Sequence, residues 1–260
     1  MGIDRFIGIN QENEKVRHLV ETLRSLGLEC ARTIEEKIDL QFSALENLHE
    51  NLNNDELFIK LVLANAIVSY QLSGKGEDWW WEFSRHFSIN KEVGSIKKAY
   101  ASFLPSSRTN RRLVGAKLKR LERLEPFLRG LNIDDLKEYY DNMLRLRDDL
   151  AKALNSGKDA KTIVFAVKMF GYAARIAFKK FKPYPMEIPI PEDVRILRYT
   201  KRFTTEPPGS FWGRIGRQTG IPPLHIDSLV WPALGKNDEV MARLKRHCPR
   251  WRLVLEITEI

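Results

Sequence analysis

Apolar side chains recur along this chain at intervals of three and four. Val16, Leu19, Val20, Leu23 and Leu26 share one face at a period near 3.6, which predicts a helix over about residues 11–26, with Gly27 as its stop. Ile38, Phe42, Leu45 and Leu48 predict a second helix over about 33–52. Asn54-Asp55-Glu56 opens a third that runs to about Leu72, before Ser73-Gly74. Its apolar positions lie on most faces, so it is expected to be central. A helix over about 76–88 carries Trp79, Trp80 and Trp81, which must point three ways, so at least one is not simple core.

A basic amphipathic helix is expected over about 108–125, ended or kinked by Pro126. Asp134 starts another that ends near Asn155-Ser156-Gly157, and KTIVFAVKMFGYAARIAF predicts a helix over about 160–178. Four prolines between Pro183 and Pro191 make KKFKPYPMEIPIP a loop. A helix restarts at Glu192-Asp193, and others follow at about 210–219, 223–231 and 238–247. The terminal WRLVLEITEI reads as a short strand or an ordered tail. The expectation is therefore all-α, about ten helices, one globular unit of two helical lobes spanning 1–260.

At 260 residues and 43% hydrophobic, the chain has enough apolar surface for a folded domain without staples. Its two cysteines, Cys30 and Cys248, build neither a disulfide scaffold nor a four-thiolate metal site, and read as reduced thiols. The start, MGIDRFIGIN, lacks the pattern of a signal peptide, and Lys60 and Asn65 interrupt the oiliest stretch. A cytoplasmic, nucleoid-associated protein with no membrane span is expected. Four glutamines and two cysteines in the whole chain hint at a heat-adapted, thermophilic source.

Charge is segregated. Residues 1–90 hold nine basic and fifteen acidic side chains, net −6, whereas residues 91–130 hold eleven and three, net +8. With the whole chain at +9, the remainder past residue 90 carries +15, a field suited to a polyanion such as nucleic acid. A solvated basic surface without a partner fits that charge equally well.

Motifs narrow the chemistry. GxSxG, Walker A, GxGxxG, HExxH and CxxC are all absent, and the five histidines have no metal-ligand spacing, so no cofactor or metal is expected. One constellation stands out. Helix, short turn through Lys158-Asp159-Ala160, then helix is an arrangement that can hold a phosphate on backbone amides. Lys161 opens the second, otherwise apolar helix. Desolvated near the positive end of a helix, its amine would be freed as a nucleophile; an ordinary surface lysine at a helix start is the commoner case. Asp193, in IPIPEDVRI, is both a natural N-cap and a carboxylate that a stiff loop can return toward a pocket. Lys168, seven residues after Lys161, is the rival nucleophile, less accessible in mid-helix.

Helix–hairpin–helix, a reactive lysine, an apolar helix and a Pro-flanked Asp resemble the helix-hairpin-helix DNA glycosylases. ETLRSLGLE, ANAIVSYQLSGKGE, KTIVFAVKMFGYAAR, IPIPEDVRI and HIDSLVWP resemble the archaeal 8-oxoguanine branch of that superfamily, from about residue 15 to the C-terminus. Of the superfamily's usual Leu-Pro-Gly-x-Gly hairpin only Gly157 remains, the Lys-to-Asp stretch is longer, and no four-cysteine iron–sulfur signature exists.

The resemblance implies a two-lobed fold with the active site in the cleft between lobes, and the hairpin and catalytic segment at about 134–200. It implies a bifunctional 8-oxoguanine DNA glycosylase and abasic-site lyase in base-excision repair. Lys161 takes the attacking position at C1′ and forms a Schiff base; Asp193 stabilises positive charge on the sugar. The flipped base would enter a pocket lined by Phe165, one turn beyond Lys161, and by Asp227 and Trp231, themselves one turn apart. Gln41 matches the branch's base-reading glutamine, with Gln71 a weaker match, and Trp80 its pocket tryptophan. Read as residues alone, the three aromatics are ordinary core and Gln41 ordinary surface.

Arg111, Arg112 and Lys158 are expected on phosphates, as are the tracts RTNRR and AKLKRLER, for which a solvated helix face fits as well. The implied partner is DNA containing 8-oxoguanine, and the implied state a monomer. Two further readings compete: a non-catalytic helical nucleic-acid-binding module, and a helical adaptor whose basic face binds an acidic protein.

Overall fold

A computed structural model describes residues 3–235 and 237–260, with side chains from residue 14 onward. Among the described residues there are fourteen helices and no strand. In order they are α1 (Ile3–Lys37), α2 (Leu40–Leu52), α3 (Asp55–Val68), α4 (Gly76–Ile89), α5 (Ile96–Ser106), α6 (Val114–Arg129) and α7 (Ile133–Asp141). Then come α8 (Met143–Ala153), α9 (Lys161–Phe178), α10 (Val194–Thr200), α11 (Pro208–Thr219), α12 (Pro223–Gly235), α13 (Asp238–His247) and α14 (Trp251–Glu256). Their contacts form two compact units: Leu40–Lys182, and the chain up to Asp39 with Pro183–Ile260. None of these helices is long and apolar enough to cross a membrane.

The Leu40–Lys182 unit is built around α3 and α9, which pack against each other. Apolar on nearly every face, α3 buries Phe58, Ile59 and everything from Leu61 to Val68, as its pattern predicts. Asn54 starts it by accepting from the Leu57 amide at 3.0 Å. α9 is buried from Ile163 to Ile176 except at Phe165. α2 and α4 pack together beside it, and α6 closes on α3 and α5.

Several boundaries differ from the sequence reading. The helix expected over 33–52 is two helices, because the Ile38 and Asp39 amides both turn back to the Ile34 carbonyl (3.0 and 2.9 Å) and close α1. The apolar period runs straight through that break, since Ile38 is buried where α1 ends and Phe42, Leu45 and Leu48 are buried on α2. The helix expected from Asp134 to about 155 also divides, at Asn142, which ends α7 and caps α8 by accepting from the Arg145 amide at 3.1 Å. The basic helix starts at Val114 rather than 108, and Pro126 lies inside its last turn. α5 is a helix beyond those the sequence pattern predicts, although Ile96, Tyr100, Phe103 and Leu104 have helical spacing and Ser95 caps it. The C-terminal segment is the helix α14, not a strand or tail.

In the other unit α1 packs against α11, α12, α13 and α14. Gly27 interrupts α1 at φ 71°, a left-handed backbone that glycine adopts without strain. A buried polar cluster ties three segments together. His225 Nε2 accepts from the Tyr184 amide at 3.2 Å, so its Nδ1 carries the hydrogen and donates to Glu35 at 2.7 Å. Ser228 donates to the same Glu35 oxygen at 2.9 Å. The proline-rich loop is thereby pinned through Tyr184. Cys30 and Cys248, read from sequence only as two separate thiols, have their sulfurs 3.4 Å apart in this core.

Candidate functional site

The hairpin before α9 is locked at both ends. Asn155 takes a left-handed conformation (φ 48°), letting the Asn155 amide reach the Lys152 carbonyl and the Ser156 amide the Ala151 carbonyl, a Schellman stop for α8. Buried Arg147 bridges Asp148 (2.8 Å) and Asp159 (3.3 Å), clamping the far side of the turn. Ala160 then starts α9 without a side-chain cap, and the first turn carries no acid.

Lys161 is solvent-exposed. The expectation that the apolar helix desolvates it does not hold, because the helical period turns Ile163, Val164 and Val167 inward and leaves the first-turn lysine outside. Lys168 is the buried lysine of this helix, as its mid-helix place suggested. Phe165 is half-buried and meets Trp80 edge-on, ring centroids 6.2 Å apart. The three tryptophans do point apart. Trp79 is core, donating to Ser69 at 2.8 Å and stacked on Phe103. Trp80 is buried against Phe83 and Phe165. Trp81 is half-exposed beneath Arg85. The half-buried Gln41 has its amide nitrogen 3.7 Å from where a β-carbon on Gly76 would stand, so it lies against the start of the Trp80 helix.

Lys161, Phe165, Trp80 and Gln41 thus belong to one unit, and Asp193, Asp227 and Trp231 to the other. Asp193 caps α10, its Oδ1 accepting from the Arg195 (2.9 Å) and Ile196 (2.8 Å) amides. Asp227 and Trp231 are half-buried on consecutive turns of α12. No group of three or more His, Cys, Asp or Glu among the described residues is placed to hold a metal ion.

Arg111, Arg112 and Lys158 are exposed. The basic face of α6 is less uniform than its sequence suggests. Lys117 is fully buried, donates to Asn110 Oδ1 and sits over the Tyr70 ring at 5.1 Å. Burial pushes its ammonium down to about 8. Half-buried Arg120 lies over the same ring at 5.4 Å and donates to Thr162 Oγ1 at 2.9 Å. Tyr70 and Thr162 carried no sequence signal, since neither belongs to a motif and their partners lie far along the chain. Glu82, also unremarked in the sequence, accepts from the Ser107 hydroxyl (3.0 Å), the Arg108 amide (2.8 Å) and both the amide and hydroxyl of Thr109. It thereby builds the loop that presents Arg111 and Arg112.

Comparison with known proteins places these residues in context. A family model described as N-glycosylase/DNA lyase matches residues 20–256. The N-glycosylase/DNA lyase of Thermococcus kodakarensis is 65% identical over 260 residues, covering 99% of each chain. That of Methanococcus maripaludis is 49% identical over 95% of this chain and 98% of its own. Among solved structures, the 8-oxoguanine DNA glycosylase of Pyrobaculum aerophilum, complexed with 8-oxoguanosine, superimposes with a TM-score of 0.79 at 27% identity, over 95% of this chain and 96% of its own.

Proposed function

Because the chain belongs to the N-glycosylase/DNA lyase family, we propose that it excises 8-oxoguanine from DNA and then cuts the strand, with Lys161 as nucleophile and Asp193 as the partner carboxylate. It acts as a monomer, and DNA containing 8-oxoguanine is its substrate. The observation that carries this reading is the pairing on α9 of an exposed primary amine with, one turn on, an aromatic ring that meets Trp80. A nucleophile and a stacking surface for a planar base are thereby fixed on one rigid helix.

The Lys161 amine, in its neutral form, attacks C1′ and the bond to the base breaks, its electron pair leaving with the base, which gains a proton. Asp193 stabilises the positive charge that develops on the sugar. Loss of a proton from nitrogen and opening of the sugar give the protonated imine. That cation acidifies the C2′ hydrogen; removing it expels the 3′ phosphate, cutting the strand on that side of the lesion. Water then hydrolyses the imine and returns the amine. Phe165, Trp80 and Trp231 supply faces for the flipped base. Asp227 accepts from the guanine-edge N–H groups, and Gln41 offers a donor and an acceptor, the acceptor for the N7–H that distinguishes 8-oxoguanine from guanine. Arg111, Arg112 and Lys158 contact phosphates.

The test is borohydride trapping on duplexes carrying 8-oxoguanine, uracil or an abasic site. Covalent adduct and base release are expected with 8-oxoguanine, strand cutting at the abasic site, and no adduct from Lys161→Gln. An undiminished adduct in that variant moves the nucleophile elsewhere. Salt-sensitive binding with neither base release nor lesion preference leaves only a DNA-binding module.

A further inference from the structure

The first turn of α9 lacks the usual means of fixing a helix start: Ala160 offers no side-chain cap and no acid follows. What reaches it from outside is Arg120 of α6, whose Nη2 donates to Thr162 Oγ1 at 2.9 Å, on the residue after Lys161. Arg120 is itself held, lying over the Tyr70 ring at 5.4 Å. Lys117 lies over the same ring at 5.1 Å and is anchored to Asn110, whose Nδ2 donates to the Val68 carbonyl at the end of α3 (3.1 Å). The relay runs from α3 through Asn110, Lys117, Tyr70 and Arg120 to the residue beside the amine.

Its composition argues against a role in stability alone. The partners of Lys117 and Arg120 among the described residues are Asn110, Thr162 and the Tyr70 ring, with no carboxylate between them. Burying Lys117 and half-burying Arg120 on one ring without a counter-charge is costly, and the ring faces offset only part of that cost. A neutral residue would tie α6 to α3 more cheaply. A guanidinium is planar and presents fixed donors, so it holds a hydroxyl in one orientation better than a flexible ammonium does.

We propose that Arg120 is a positioning residue for Lys161, fixing the first turn of α9 through the Thr162 hydroxyl so that the amine is presented at one height and angle. This rests on the reading of Lys161 as nucleophile. Since small misplacements of a reacting group are expensive in rate, losing the link should slow the covalent step at saturating DNA while leaving the DNA concentration at half-saturation unchanged.

The test is single-turnover excision and borohydride trapping on 8-oxoguanine duplex with Arg120→Met, Thr162→Val, Thr162→Ser, the Arg120→Met/Thr162→Val double variant and Lys161→Gln. Arg120→Met and Thr162→Val should each slow trapping about tenfold. The double variant should be no slower than the worse single, and Thr162→Ser, which keeps the hydroxyl, should recover the wild-type rate. Thr162 is partly exposed, so its two variants decide the matter even if Arg120→Met folds poorly. Wild-type rates in Arg120→Met and Thr162→Val overturn the proposal. So does a loss confined to DNA affinity, which would make Arg120 a phosphate contact, and so does Thr162→Ser as slow as Thr162→Val. Adduct formation by Lys161→Gln would instead overturn the underlying assignment of the nucleophile.

Discussion

Phe165 meets Trp80 edge-on, their ring centroids 6.2 Å apart and their planes at 65°. Trp80 is almost wholly buried and Phe165 half-exposed, so one ring braces the other and leaves an aromatic surface one turn from Lys161. If that surface stacks a flipped base, it matters only when a base is present. Phe165→Ala is expected to slow 8-oxoguanine excision about tenfold to a hundredfold, the usual worth of a base–aromatic stack. Strand cutting at a preformed abasic site should change little. Parallel single-turnover assays on the two substrates check this; equal losses on both would make the ring a support for the lysine rather than a base platform.

Asp193 uses one oxygen to cap α10, so its capping can be separated experimentally from the carboxylate role proposed for it. Asparagine is as good an N-cap as aspartate, so Asp193→Asn should keep folding stability within about 0.5 kcal/mol of wild type. Asp193→Ala should lose about 1 kcal/mol as the Arg195 and Ile196 amides lose their acceptor. Both should slow excision by about a hundredfold or more through loss of the carboxylate. Denaturant unfolding beside single-turnover excision distinguishes the two: a loss that tracks stability across the pair would leave Asp193 as a cap alone.

How far residues could be read before the fold depended on whether the signal was local. The start of α9 at Lys161, the capping place of Asp193, the all-round burial of α3 and the shared face of Lys161 and Phe165 follow from spacing along one helix, and the structure has them so. The breaks at Asp39 and Asn142 escaped because an apolar period continues across each, while the polar side chain that ends one helix or caps the next looks like any surface residue. WRLVLEITEI alternates enough to suggest a strand, yet packing against α1 and α12 makes it helical. Charge misled in the other direction. Lys117 reads as part of a solvated basic face, and only the arrival of Asn110 and Tyr70 from other segments shows why it is buried. The Cys30–Cys248 and Glu82–Thr109 contacts likewise join residues that no local pattern links.

Glu82 offers a test of how the loop before α6 is held. Burial alone would raise its carboxyl, but the bonds from Thr109, Arg108 and Ser107 outweigh that and hold it below its ordinary value of 4.5. A carboxyl lowered by folding contributes stability that is fully present above its unfolded value and is lost as pH falls through its lowered folded value. Glu82→Gln is therefore expected to cost about 1–3 kcal/mol at neutral pH, the range for hydrogen bonds to a charged group. The gap between wild type and variant should narrow in acid, which urea unfolding at about pH 7 and about pH 3.5 would measure. Because the loop presents Arg111 and Arg112, the variant should also bind DNA more weakly at low salt.

Lys117 also adds stability as pH rises, but at neutral pH it is a cost where Glu82 is a gain. Burial lowers its ammonium from 10.5 to about 8, so between those values the unfolded chain holds a proton that the folded chain has released. Stability then rises with pH across that window, whereas below about 8 both states are protonated and the cost of burying the charge is constant. Lys117→Met removes the titration while keeping most of the side-chain volume. At neutral pH two effects oppose each other, since the buried charge is gone but the buried Asn110 oxygen loses its donor. The pH slope is therefore more diagnostic than the offset. The stability of wild type relative to Lys117→Met should be flat up to about pH 8 and climb toward pH 10.5, measured by urea unfolding at several pH values. A difference that stays level across the window would mean that the ammonium keeps its hydration in the fold and that the Tyr70 face is open to water.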